Sequence, residues 1–284
     1  MTAPDLVEYS LRIGDRAVTL LDGPGGWGEY SPLAGYPSYP AVCRRAAEEA
    51  ARLGFPPAVR DAIPVNVLVD GYFTVEEIRR FPAVKVKVRN AASVGLVASV
   101  RDAVGPSTAV RVDANGVWDV DTALHMIGLL EPYGLEYVEQ PVASLEDLAR
   151  VRRRVDVRIA ADECIRSLDD ARRLRALDAA DVIVLKQQPL GGVRAALEVA
   201  EAAGVPAVVS SMMETSVGIA AGVALAAALP ELPYACGLAT ASMLAGDVTF
   251  DPMVPVDGVL AVRRVEADPE LLVRYADRGQ EASR

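Results

Sequence analysis

Short β-branched runs, separated by helical patterns and ending on polar residues at a nearly constant interval, constrain this chain more than any other feature. From Pro64 onward the runs are Val65–Val69, Val84–Val88, Ala109–Val112, Tyr137–Val138, Val157–Ala160, Val182–Leu185 and Ala207–Val209, with a weak one near Tyr234. Ala-, Leu- and Arg-rich segments of helical pattern lie between them. Strands that alternate with helices form βαβ units and a parallel sheet. The polar residues at the strand ends keep time with the repeat. Lys87 to Asp113 is 26 residues, Asp113 to Glu139 is 26, Glu139 to Asp162 is 23, Asp162 to Lys186 is 24, and Lys186 to Ser210 is 24. Seven or eight such units favour a closed (β/α) barrel over an open doubly wound sheet. The lack of a GxGxxG motif after the first strand weakens the dinucleotide-binding alternative.

The flanks lack the repeat. Residues 1–60 carry a hairpin pattern over Tyr9–Leu21 that turns at Gly14-Asp15. A Gly-rich stretch, Gly23–Glu29, and a helix from about Tyr39 to Leu53, stopped by Gly54, follow. The tail carries a short strand over Gly258–Val265 and a helix with Asp268 as N-cap and Pro269 at its first position. Residues 1–60 with 250–284 are therefore expected to form one small α+β capping domain, and residues 61–249 the barrel.

Composition narrows the function. A formal net charge of −10 argues against nucleic acid and anionic membrane surfaces as partners. The longest apolar run, Val217–Leu229, has 13 residues, against roughly 20 for a membrane span, and reads as a buried helix packed on a sheet. No secretory leader pattern is evident. Three scattered cysteines, Cys43, Cys164 and Cys236, suit buried positions in a reducing cytoplasm. His125 is the sole histidine, so a Ser–His–Asp triad or a His-rich zinc site has little to work with, and proton transfer falls to Lys, Asp, Glu or Tyr.

In a barrel the C-terminal strand ends form the active-site face, and the regular polar residues fall there. In Val84–Val88, Lys85 and Lys87 share one strand face. A solvated edge strand is the common explanation, but inside a barrel two lysines are costly unless paired or functional. Desolvation and a neighbouring cation would lower a lysine pKa toward that of a general base. On the next strand Arg111 and Asp113 share a face, which a structural Arg–Asp pair also explains. Glu139 precedes Gln140-Pro141, and Asp162 precedes Glu163. Any one acidic strand end is also a helix N-cap candidate. Three on consecutive strands would converge and repel unless a cation neutralises them. With no His or Cys in the set, a hard ion is selected, Mg²⁺ fitting best. Lys186 would sit across the mouth from Lys87. Ser210, Ser211 and Gly237 end the last two strands and are candidate substrate contacts, although small residues at barrel mouths are ordinary.

The ordered set of Lys-x-Lys, Arg-x-Asp-x-Asn, Glu-Gln-Pro, Asp-Glu and Lys on successive strands resembles the enolase superfamily, and within it the muconate-lactonizing subgroup. Trp27-Gly28-Glu29 and Ser211–Gly218 resemble segments of the same subgroup. The resemblance implies a modified TIM barrel of (β/α)7β type with an α+β cap. It also implies the Lys or His base acting with Mg²⁺ that the superfamily uses, Mn²⁺ being able to substitute. By the same resemblance Lys87 is the base that removes a proton α to a carboxylate, and Lys186 is the opposing lysine. Asp113, Glu139 and Asp162 are the metal ligands, Lys85 is a helper near the substrate carboxylate, and Arg111 is a pocket residue. The short cap is most similar to the o-succinylbenzoate synthase family of menaquinone biosynthesis. This implies dehydration of 2-succinyl-6-hydroxy-2,4-cyclohexadiene-1-carboxylate, a small carboxylate. An N-succinylamino acid racemase or dipeptide epimerase would use the same lysine pair, and the oligomeric state is not legible.

Overall fold

The computed structural model describes residues 5–277, so residues 1–4 and 278–284 of the expected cap lie outside the described residues. The chain opens with an antiparallel hairpin, β1 (Val7–Ile13) and β2 (Arg16–Gly23), with Ile13 paired to Arg16 across a turn where Gly14 has φ +60°. β3 (Gly26–Tyr30) adds to β2. Helix α1 (Pro40–Leu53) packs on this sheet through Cys43, Ala46, Ala47, Ala50 and Ala51. Small residues are needed there because helix and strand touch backbone to backbone. A Cβ on Gly28 would lie 2.0 Å from the Ala47 carbonyl oxygen. The helix stops at Gly54, φ +62°, whose amide donates to Ala50 O.

β4 (Ala62–Pro64) leads into the repeat: β5 (Asn66–Val69), α2 (Val75–Ile78), β6 (Ala83–Lys87), α3 (Ser93–Val104), β7 (Ala109–Asp113) and α4 (Val120–Leu130). It continues with β8 (Val138–Glu139), α5 (Leu145–Arg152), β9 (Ile159–Ala161), α6 (Leu168–Leu177), β10 (Val182–Leu185), α7 (Gln187–Leu190), α8 (Val193–Ala203), β11 (Ala207–Val209) and α9 (Ser216–Ala228). The strands β5 to β11 form one seven-stranded sheet in sequence order, and every pairing between neighbours is parallel. Asp119, Ser144, Ser167 and Thr215 cap α4, α5, α6 and α9 with side-chain oxygens. These caps mark where four of the barrel strands, β7, β8, β9 and β11, hand over to a helix.

The weak run near Tyr234 forms no strand of its own. It closes the curled sheet through two single parallel bridges, Val65 to Cys236 and Ser210 to Gly237. The Cys236 amide donates to Pro64 O at 2.7 Å and the Gly237 amide to Val209 O at 2.8 Å. A modified TIM barrel results, with the alternating valines of its strands in one core. The apolar run Val217–Leu229 is α9 and its end, with Ser216 to Ala227 buried throughout. Among the described residues no helix is long and apolar enough to cross a membrane. His125 is exposed on α4, and all three cysteines are buried and unpaired.

The tail returns to the start of the chain. β12 (Val259–Ala261) pairs with β4, shorter than the strand expected over Gly258–Val265 because only these three residues find a partner strand. α10 (Pro269–Arg274) begins at Asp268, whose carboxylate accepts from the Glu270 amide. Beyond it, the Arg12 amide donates to Tyr275 O and the Asp277 amide to Ser10 O, each at 2.8 Å. These bonds tie the tail to β1.

Candidate active site

The parallel register does the convergence. Lys87 pairs with Asp113 and Asp113 with Glu139, so three charged side chains stand side by side at one rim of the sheet. Asp162 is the residue after β9, and Lys186 is the residue after β10. Asp113, Glu139 and Asp162 are each 1% exposed. Lys85 Nζ lies 2.9 Å from Glu139 Oε1 and 3.3 Å from Asp113 Oδ2. Lys87 Nζ donates to Asp113 Oδ2 at 2.7 Å, and Lys186 Nζ to Asp162 Oδ2 at 2.5 Å. Ammonium groups therefore stand between the carboxylates. Among the described residues no three His, Cys, Asp or Glu side chains are already gathered into a metal shell.

The electrostatics of the cluster follow from burial and from the ammoniums among its carboxylates. Burial alone would raise Asp113, but the ammoniums of Lys85 and Lys87 outweigh it and hold the carboxyl well below its usual range. Glu139 goes the other way, since burial and the nearby Asp113 push it up against the pull of Lys85. Burial should lower Lys85 and Lys186, yet the carboxylates around them win and both are raised. The lowering expected of the Lys85–Lys87 pair is thus reversed at Lys85, which faces more negative than positive charge. Three buried carboxylates with an oxygen-only donor set, one of them pushed toward its neutral form by burial and a neighbouring carboxylate, fit a hard divalent cation.

A cavity of about 380 Å³ opens onto the cluster. Of the residues singled out in the sequence, Lys85, Lys87, Asp113, Lys186, Ser210, Ser211 and Gly237 line it. Glu139 and Asp162 do not line it and sit behind Lys85 and Lys186. Asn115, which closes the Arg-x-Asp-x-Asn motif, is also on the wall, and two further wall residues, Leu33 and Tyr36, carried no readable signal. Tyr36, from the loop between β3 and α1, donates its hydroxyl to Asp162 Oδ1 at 2.9 Å. Its ring lies 4.3 Å beneath the Lys186 ammonium. Gln140, with φ +38°, accepts from the Asp162 amide at 2.7 Å and so fixes the exit of β9.

Arg111 departs from expectation. It does not line the cavity. Its side chain is 1% exposed, with Nε 2.6 Å from Glu136 Oε2 and Nη1 2.6 Å from Ala235 O. Its guanidinium lies 4.8 Å from the Tyr137 ring centroid. The residue shares a strand face with Asp113, but it lies two positions earlier on β7; Nη1 also donates to Asn66 Oδ1 at 3.3 Å, and Asn66 itself lines the cavity. We expect Arg111→Met to lower unfolding free energy by about 3 kcal/mol, because removing one partner strands the others in a dry interior. Denaturant titration of both proteins measures this, and an unchanged midpoint would refute the role.

A buried polar seam joins β3 to the barrel. Glu29, 3% exposed, accepts from Ser31 Oγ at 2.5 Å, from the Thr215 amide at 3.2 Å and from the Gly218 amide at 2.9 Å. It thereby caps α9 from another segment of the chain. Gln188, two residues after Lys186, accepts from the Ser31 amide and donates to Glu214. Burial and the neighbouring Glu214 push Glu29 up to about 7. The folded chain therefore binds more protons than the unfolded chain between about 4.5 and about 7. Glu29's contribution to stability should fall as pH rises through that window. Denaturation midpoints across it should slope less for Glu29→Gln than for the unaltered chain; equal slopes would contradict the assignment.

Comparison with known proteins agrees with this fold. Residues 73–267 match the family model described as Enolase C-terminal domain-like. The o-succinylbenzoate synthase of Thermobifida fusca is 56% identical over 266 residues, covering 89% of this chain and 83% of that protein. The o-succinylbenzoate synthase of Mycolicibacterium smegmatis is 45% identical, covering 95% and 89%. Among solved structures, muconate cycloisomerase from Pseudomonas fluorescens superimposes with a TM-score of 0.83 at 24% identity, over 97% of this chain and 98% of that one. At that identity the match shows the fold.

Proposed function

This chain belongs to the Enolase C-terminal domain-like family, and from that premise we propose that it dehydrates 2-succinyl-6-hydroxy-2,4-cyclohexadiene-1-carboxylate to 2-succinylbenzoate. It is an enzyme of the o-succinylbenzoate synthase type, a carbon–oxygen lyase of menaquinone biosynthesis. The observation that carries the reading is the placement of Lys87 and Lys186 on the wall of one cavity, each hydrogen-bonded to a buried carboxylate.

Lys87, as base, takes the proton α to the substrate carboxylate, and that pair of electrons makes the carboxylate an enediolate. Collapse of the enediolate expels hydroxide from the neighbouring carbon. If the departing group lies on the same face, Lys87 returns the proton to it, so that water leaves and an aromatic ring forms. Lys186 holds positive charge against the growing charge on the carboxylate oxygens, and Lys85 adds to it from below. Asp113, Glu139 and Asp162 would hold a divalent cation, Mg²⁺ or Mn²⁺ in its place, which would supply the positive charge that the ammoniums now give these carboxylates. Ser210, Ser211 and Gly237 offer small surfaces against which the rest of the substrate lies. Residues 1–60 with 250–284 are assigned to the cap and 61–249 to the barrel. The unpaired, buried cysteines are in keeping with a cytoplasmic setting.

Purified protein should convert the cyclohexadiene with a rise in aromatic absorbance. The competing reading, racemisation of N-succinylamino acids or epimerisation of dipeptides, needs both lysines to exchange protons. Incubation in D₂O tests it. Deuterium entry with rapid racemisation, and no turnover of the cyclohexadiene, would overturn the assignment.

A further inference from the structure

We propose that Asn115 and Glu163 form a positioning relay that aims the Lys87 ammonium into the cavity, an inference that rests on Lys87 being the base. Asn115 follows β7 and Glu163 follows β9, and both line the same cavity as Lys87. Lys87 Nζ donates to Asn115 Oδ1 at 2.7 Å as well as to Asp113 Oδ2. Two of its three donors are thereby directed. On its far side, Asn115 Nδ2 donates to Glu163 Oε1 at 2.8 Å. A carboxamide can turn over, and the turned form would set an NH₂ group against the ammonium. The Glu163 acceptor excludes that form. The backbone is held as well: Asn115 has φ +50°, a left-handed conformation asparagine tolerates, and its amide donates to Asp113 Oδ1 at 3.0 Å.

Glu163 uses only one oxygen in this arrangement. Its Oε2 is buried without a hydrogen-bond partner among the described residues. The relay therefore needs an acceptor at Oε1 and no charge, and a glutamine at this position keeps everything the relay uses. Among the described residues no donor faces Oε2 for the amide NH₂ of that glutamine to oppose.

The test is a mutant cycle read as kcat and KM, with thermal melting as the check on folding. Asn115→Gly suits the left-handed backbone and removes the carboxamide; Glu163→Ala removes its anchor. Each should lower kcat roughly 10- to 100-fold, the size of loss expected from a small misplacement of a reacting group, with KM changed less than about twofold. The double variant should be no slower than the slower single one, because residues acting as a unit are non-additive. Glu163→Gln should retain kcat within about threefold of the unaltered enzyme. Multiplicative losses, or Glu163→Gln as slow as Glu163→Ala, would overturn the relay. Lys87→Ala belongs in the same panel. If it is inactive while Asn115→Gly is fully active, the relay alone fails; if Lys87→Ala turns over normally, the base assignment fails instead.

Discussion

Lys87→Ala should lower kcat by about a thousandfold or more and leave the melting temperature nearly unchanged. General-base transfer by a positioned side chain is worth roughly 10²- to 10⁴-fold, and here no other lysine stands in the same place to substitute. Lys85 is committed to Glu139, and Lys186 to Asp162. The fold should survive because the Lys87 side chain is 19% exposed and fills no core. Asp113 would not be stranded either, since Lys85 Nζ remains 3.3 Å away. Circular dichroism and melting curves run beside the assay separate the two effects. Near-normal turnover would remove Lys87 from the chemistry, and loss of the fold would make it a structural residue.

Chelation should abolish activity, and Mg²⁺ or Mn²⁺ should restore it. The reason lies in the charge balance around the three buried carboxylates. Asp113 and Glu139 stand side by side in register, and burial, together with the charge of Asp113, pushes Glu139 up. A divalent ion opposes that push. Activity is one readout, and stability is a second that does not depend on substrate. An ion present at 100 times its Kd and bound only by the folded chain adds about 2.7 kcal/mol. The melting temperature should therefore climb with added Mg²⁺ in the unaltered chain and not in Asp162→Asn. Full activity in excess chelator, or an equal climb in Asp162→Asn, would rule out the ligand set.

Which residues reach the cavity was legible to an unequal degree. Lys85 and Lys87 could be placed on one face because a strand repeats every two residues, a property of the local backbone. The interval between Lys87, Asp113, Glu139, Asp162 and Lys186 could be read because each βα unit returns the chain to the same rim of the sheet. Arg111 obeyed the same alternation and was still misplaced. Alternation assigns a face and not a depth, and a long side chain two residues below the rim turned toward Glu136 and Ala235. Tyr36 gave no signal, since it lies in a loop with no periodicity and meets Asp162 across 126 positions of chain. The pairing of Glu29 with Thr215 spans 186 positions and was equally hidden.

By itself the sequence determined the barrel and the five charged strand ends, because period-two strands, helix caps and near-constant connection lengths act between residues close in the chain. Tertiary structure alone decided three things: that Arg111 turns to Glu136 and Ala235, that a loop tyrosine covers Lys186, and that Glu29 caps a distant helix. Those depend on packing between segments that share no local pattern, where side-chain length, burial and available donors select the partner.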